Sequence, residues 1–126
     1  MVGIVIISHS RSLAESVVEY TGMMAAGAKV AAAGGTQDGG FGTSFEKICR
    51  AVEEADSGDG VILLMDLGSA VMTAEMVVEE LGADRVAMSG CPLVEGAVVA
   101  TIDALGGMSR DEILDALAKV GETPKF

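Results

Sequence analysis

Aromatic side chains are scarce in this chain, which has no tryptophan, one tyrosine and three phenylalanines in 126 residues. Its core must then be built from Val, Ile, Leu, Met and Ala, which suits a parallel sheet covered by helices on both faces. Basic residues are also few, 8 against 19 acidic ones, for a formal net charge of −11. Phosphate backbones are bound by basic stripes, so nucleic acid is not expected as a partner. Acidic clusters such as Glu53, Glu54, Asp56 and Glu79, Glu80 read as solvated helix faces. No apolar run reaches the roughly 18 residues of a membrane span. The first residues lack the basic start and cleavage site of a signal peptide, so a cytoplasmic protein with no membrane partner is expected. Cysteine occurs twice, as Cys49 and Cys91, and fits no metal-ligand spacing. In a reducing compartment these two read as core residues, not as a disulfide. Repeats, linkers and low-complexity tracts are absent, which predicts one domain over residues 1–126.

Histidine occurs once, and its position is informative. The β-branched run Ile4 to Ile7 stops at Ser8, and His9 follows at once. Leu13, Ala14, Val17 and Val18 then recur at helical spacing behind Ser10 and Ser12, either of which can cap the first turn. This is a strand, a turn carrying a histidine, and a helix N-terminus. In open α/β sheets ligands bind at the carboxyl ends of the strands, and helix N-termini favour phosphate groups. A lone histidine is often only a hydrogen-bonded structural residue. Here small hydroxyl neighbours, Ser8 and Ser10, leave the ring accessible, and an imidazole can carry nucleophilic catalysis at neutral pH.

The remaining chain predicts three further strand and helix units. A helix over Ser10–Ala26 leads to a second strand, Lys29–Ala33, ending in Gly34-Gly35-Thr36. The glycine-rich loop Gln37–Ser44 ends at Thr43 or Ser44 as the cap of a helix with Phe45, Ile48, Cys49, Val52 and Ala55 on one face; Thr43 with Glu46 has the spacing of a capping box, Ser44 with Lys47 does not. After the turn Ser57–Gly60 comes a third strand, Val61–Met65, continuously apolar and therefore central. Asp66 follows it, placed either to cap the next helix or to meet the histidine of a neighbouring strand. That helix, Ser69–Leu81, is apolar round most of its circumference through Ala70, Val71, Met72, Ala74, Met76, Val77 and Val78. Such a helix is expected to be buried on two sides, the second against another subunit. A fourth strand over Ala83–Met88 leads through Ser89-Gly90-Cys91-Pro92 to a helix over Leu93–Leu105. The last helix, Arg110–Val120, has a capping box in Ser109 and Glu112, and the tail from Gly121 reads as loose. The fold class is α/β, a doubly wound, mainly parallel sheet of four or five strands with helices on both faces. The loops bearing His9, Gly35-Thr36 and Asp66-Gly68-Ser69 should share one rim. The first turn lacks G-x-G-x-x-G, which argues against a dinucleotide site, and Ser8-His9 in place of paired acids argues against a receiver domain.

Four motifs in order, I-V-I-I-S-H-S, G-G-T followed by D-G and G-T-S, M-D-L-G-S-A, and G-C-P-L-V-E-G-A, resemble one family over nearly the whole chain to about Gly107. It is the DhaM-type phosphotransferase subunit of the phosphoenolpyruvate-dependent dihydroxyacetone kinase, whose domain is similar to the mannose-type enzyme IIA. The resemblance implies a phosphotransferase with a phosphohistidine intermediate. His9 would accept a phosphoryl group from the phosphorylated carrier HPr and pass it to ADP on a DhaL-type kinase subunit. Asp66 would hydrogen-bond the ring, while Ser10, Gly35, Thr36, Gly68 and Ser69 would hold the phosphoryl oxygens. The resemblance implies no metal and no cofactor of the chain's own, with ADP and ATP held on the partner subunit. It also implies a homodimer and, the chain ending at Phe126, a separate phosphoryl donor. Arg11 either neutralises the phosphate or lies in solvent. The nearest rival is an enzyme IIA that feeds a mannose-family sugar transporter, and a second is a non-catalytic α/β binding or signalling domain.

Overall fold

The computed structural model describes residues 1–126. Two uninterrupted apolar runs form β1 (Gly3–Ser8) and β3 (Val61–Met65), and every residue of both is buried, as befits strands with helices on each face. They lie side by side at the centre of a four-stranded, all-parallel sheet, flanked by β2 (Val30–Gly34) and β4 (Val86–Ser89) in the order β2-β1-β3-β4. Four helices follow the four strands, α1 (Arg11–Met24), α2 (Phe45–Ala55), α3 (Gly68–Leu81) and α4 (Leu93–Leu105), and α5 (Arg110–Val120) closes the chain. This agrees with the expected class, with four strands.

Alternation along the central strands divides the core in two. Val5, Ile7, Leu63 and Met65 pack on α2 and α3 through Ile48, Val52, Ala70, Ala74 and Val77. Ile4, Ile6, Ile62 and Leu64 face α1, α4 and α5 through Ala14, Val17, Ala97, Ala100, Ile113 and Leu117. Cys49 borders the first cluster and Cys91 the second. The sheet therefore separates the two thiols, both free, and burial pushes both up from the ordinary thiol range.

Several boundaries differ from the sequence expectation for identifiable reasons. Helix α1 starts at Arg11 because Ser10 is its N-cap, its hydroxyl accepting from Leu13 N at 3.2 Å. Strand β2 runs one residue later than expected, ending on Gly34. β4 begins only at Val86, since Gly82 takes a left-handed φ of 102° and Arg85 N closes a turn onto its carbonyl at 3.1 Å. Ser44, not Thr43, caps α2 by accepting from Lys47 N at 3.2 Å, and the Thr43 hydroxyl instead meets that of Thr73 at 2.9 Å. The Ser109–Glu112 capping box is complete in both directions. In α3 only Ala70, Ala74 and Val77 are buried. Met72 and Met76 are 72% and 56% exposed, so the second apolar side of this helix is open in the single chain.

β2 and α1 meet without room for a side chain. A Cβ on Gly34 would stand 2.7 Å from Arg11 Cα, 2.7 Å from Ser10 O and 2.8 Å from Ala14 Cβ. Two of these atoms are backbone of the first turn of α1, which no rotamer change can move. Gly34→Ala is expected to destabilise the fold by about 1–3 kcal/mol, roughly 3 °C of melting temperature per kcal/mol for a domain of this size. An unchanged melting midpoint would show that this packing yields.

Candidate functional site

The chain leaves β1 toward β2 on one side and reaches β3 on the other, so the strand order reverses between β1 and β3. Such a reversal opens a crevice at the carboxyl ends of the two strands. Register sets what fills it. Ile7 pairs with Met65, and the ladder continues by one bond, Asp66 N donating to Ile7 O at 3.2 Å. The residues after the strands, Ser8-His9 and Asp66, are thereby brought together although His9 and Asp66 are 57 positions apart.

Asp66 gathers four donors. Its Oδ2 accepts from the Ser8 hydroxyl at 2.8 Å and from His9 N at 3.0 Å. Its Oδ1 accepts from Leu67 N at 2.7 Å and lies 3.0 Å from His9 Nδ1. Burial is the largest single influence on this carboxyl and pushes its pKa up. The bonds from His9 N–H, the Ser8 hydroxyl, the His9 ring and Leu67 N–H together outweigh it and hold Asp66 below the ordinary carboxylate range. An ionised carboxylate only accepts, so Nδ1 carries the proton and Nε2 presents its lone pair. That nitrogen meets the Ser69 hydroxyl, the donor, at 2.5 Å. Asp66 is not a helix cap, for the N-cap of α3 is Leu67 and no side chain caps that helix.

A glycine-rich loop closes the other side of the ring. Gly42 N donates to His9 O at 2.9 Å and Gly35 N to Ser8 O at 3.0 Å, so the loop is tied to the histidine turn at both ends. Phe41, 79% exposed, lies against the imidazole with ring centroids 5.4 Å apart at 32°. Between loop and turn is a cleft of about 220 Å³ lined by His9, Ser10, Arg11, Ser12, Gly39, Gly40 and Phe41.

His9 thus touches both Asp66 and Ser69, with Gly68 opening α3 beside them. Ser10 lines the cleft, its hydroxyl engaged in capping α1. Gly35 turns the chain at φ 75°. The Thr36 hydroxyl is engaged within its own loop, donating to Asp38 at 2.5 Å and accepting from Gly40 N at 3.0 Å. Two neighbours were not in the expected set. Ser8 orients Asp66, and Phe41 covers the ring; an aromatic placed in a glycine loop of a chain with so few aromatics was a usable signal. No three His, Cys, Asp or Glu side chains gather into a metal-holding group. A larger polar cleft, about 410 Å³, lies at the amino ends of the strands. It holds Arg85, which pairs with Asp56 at 2.7 Å and with Glu53 at 3.0 Å, and its one hydroxyl, that of Ser109, is engaged in capping α5. No helix is long and apolar enough to cross a membrane.

Chemically, the arrangement is an imidazole, only 8% exposed and so less accessible than its small neighbours suggested, with a largely buried carboxylate behind one nitrogen and the Ser69 hydroxyl on the lone pair of the other. It suits attack on an electrophile brought to the rim.

The family described as PTS system fructose IIA component, EIIA-man, matches residues 3–119. The phosphoryl donor subunit DhaM of a PEP-dependent dihydroxyacetone kinase from Providencia stuartii is 38% identical over 122 residues, 91% of this chain and 26% of the relative. The corresponding DhaM subunit of dihydroxyacetone kinase 1 from Listeria innocua is 37% identical over 120 residues, 95% of this chain and 94% of the relative. The chain therefore spans about a quarter of the first relative, at 26%, and nearly all of the second, at 94%. Among solved structures, a protein of unknown function, EF1359, superposes with a TM-score of 0.85 at 30% identity, covering 97% of this chain and 96% of that one. The mannose/sorbose specific IIA subunit from Enterococcus faecalis shares the fold, with a TM-score of 0.69 at 19% identity over 98% and 97% of the two chains.

Proposed function

Because this chain belongs to the EIIA-man family of phosphotransferase-system components, and is kin to DhaM-type phosphoryl donor subunits, we propose that it carries a phosphoryl group on His9 Nε2. The observation that carries the reading is the polarised ring, with Asp66 on Nδ1, the Ser69 hydroxyl on Nε2, and His9 lining an open cleft.

The loading step is an in-line displacement. Nε2 attacks the phosphorus of a phosphorylated HPr-type carrier, the N–P bond to the carrier's histidine breaks, and its electron pair returns to that leaving imidazole. His9 acquires imidazolium character, which the charge of Asp66 stabilises. Ser69, now donating to Nε2, turns its hydroxyl to a phosphoryl oxygen. The N-termini of α1 and α3 converge on the ring, and their positive ends favour the incoming anion. Discharge runs the same way: a terminal phosphate oxygen of ADP on a DhaL-type kinase subunit attacks phosphorus, the N–P bond breaks, and His9 recovers its lone pair. The ATP so formed serves dihydroxyacetone phosphorylation in the cytoplasm. The open side of α3 with Met72 and Met76 supports a homodimer, which sedimentation at several concentrations would test.

Intact-mass spectrometry after incubation with phosphoenolpyruvate, enzyme I and HPr tests the relay. One phosphoryl group gained, and lost on adding the ADP-loaded kinase subunit, is the expected result. A gain that this subunit cannot discharge would move the protein to sugar transport. No gain at all would mean that His9 is structural or that the donor is another carrier.

A further inference from the structure

Three helices open with acidic residues in their first turns, α2 with Glu46, α4 with Glu95 and α5 with Asp111 and Glu112. Negative charge belongs there, because the N-terminal end of a helix is positive. The two helices that begin beside His9, α1 and α3, have none, in a chain with 19 acidic residues. α1 departs further from the rule. Its first residue is Arg11, a cation at the positive end of the dipole, which is an unfavourable placement unless an anion joins it.

Little holds Arg11 where it stands. Its one ion pair is with Glu15 at 3.8 Å, the two side chains being 65% and 54% exposed, and pairs of that kind contribute little. The guanidinium lies over the glycine loop, one terminal nitrogen 3.7 Å from where a Cβ on Gly39 would be. Arg11 is the only cation lining the cleft that contains His9. The other two cations near the carboxyl end of β2 are engaged elsewhere. Lys47 Nζ donates to Gly34 O at 3.0 Å, and Arg50 donates to the Gln37 side chain at 2.8 Å.

We infer that Arg11 is the phosphoryl clamp of this site: its guanidinium leaves Glu15 and pairs with the oxygens of the group carried on His9. The inference rests on His9 being the carrier and deepens that reading. A phosphoryl group brings up to two negative charges next to ionised Asp66, in a chain of net charge −11. The planar guanidinium fork matches two such oxygens at once, which an ammonium does not. No bond forms or breaks at Arg11; it neutralises charge on the group as the phosphorus moves between nitrogen and oxygen.

The test compares wild type with Arg11→Gln and Arg11→Lys, loaded in parallel from phosphoramidate, a small donor that needs no carrier protein, and from phosphorylated HPr. Phosphorus NMR follows formation and loss of the phosphohistidine, and thermal melting checks the fold. Arg11→Gln is expected to load about tenfold more slowly from both donors, as loss of a charge-assisted contact implies, and to lose the group faster. Arg11→Lys should recover part of both. Equal loading rates and lifetimes for wild type and Arg11→Gln overturn the inference while leaving His9 as carrier. Slowing from HPr alone overturns it too, moving Arg11 to a docking contact. A wild type that takes a phosphoryl group from neither donor overturns the inference and the carrier reading together.

Discussion

His9→Ala is expected to lower phosphoryl uptake by roughly 10⁴-fold or more, the scale on which loss of an attacking group is felt. No other side chain in the cleft can take its place. Ser10 and Ser12 present hydroxyls to each other at 3.2 Å with no base beside them, and Arg11 has no lone pair to offer. The fold should survive, because the remaining donors to Asp66, from Ser8, His9 N and Leu67, are a side chain and backbone that the substitution leaves in place. A loss of about 1–3 kcal/mol is expected from the two broken bonds, to Asp66 and to Ser69, and the vacated ring. The measurement is intact mass and acid-labile, base-stable label after exposure to phosphorylated HPr. Label retained by the variant, with its melting curve intact, would sink the assignment of His9.

Asp66→Asn is expected to slow loading by roughly 10²–10⁴-fold, as when a carboxylate that sets a histidine tautomer is replaced by its amide. Asp66 receives four donors and makes no donation. An amide nitrogen at Oδ1 would face Leu67 N–H and push the ring proton to Nε2, removing the nucleophilic lone pair. At Oδ2 it would face His9 N–H, leaving buried donors opposed at a cost of about 1–3 kcal/mol. Asp66→Ala should also slow transfer, with the fold kept; rates equal to wild type would reduce Asp66 to a structural role.

The same carboxyl makes an acid prediction with a definite sign. Hydrogen bonds hold Asp66 below the ordinary carboxylate range in the fold, despite burial, whereas in the unfolded chain it titrates near about 3.9. A depressed folded pKa contributes stability that is present above the unfolded value and is lost as pH falls through the folded one. The stability difference between wild type and Asp66→Asn, from urea midpoints, should therefore be largest near neutrality and shrink below about pH 4. A difference that grows on acidification would contradict hydrogen bonding to the ionised carboxylate as the cause of the shift.

Much of this was legible along the chain. The β-branched run to Ser8 and the histidine turn are found where the local pattern puts them, and of the two serines able to cap the helix behind them it is Ser10 that does. The continuously apolar β3 is central as expected, and the Ser109–Glu112 box is closed. The boundaries that differ are also local. Two hydroxyls competed to cap α2, and Ser44 prevailed while Thr43 found a partner on α3. A left-handed glycine at Gly82 delayed β4.

By itself, then, the sequence determined the elements, the fold class and the strand-to-helix turn that carries the one histidine. These depend on periodicity, caps and residue chemistry within one or two turns of chain. The tertiary structure alone decided that β1 lies against β3 with Ile7 opposite Met65, so that Asp66 reaches Nδ1 and Ser69 reaches Nε2. It alone put Phe41 on the ring, engaged Lys47 and Arg50 elsewhere, and left the Met72–Met76 side of α3 uncovered. Those outcomes depend on which strands pair and in what register, a choice made by burying both faces of the sheet at once, and no short stretch of sequence contains it.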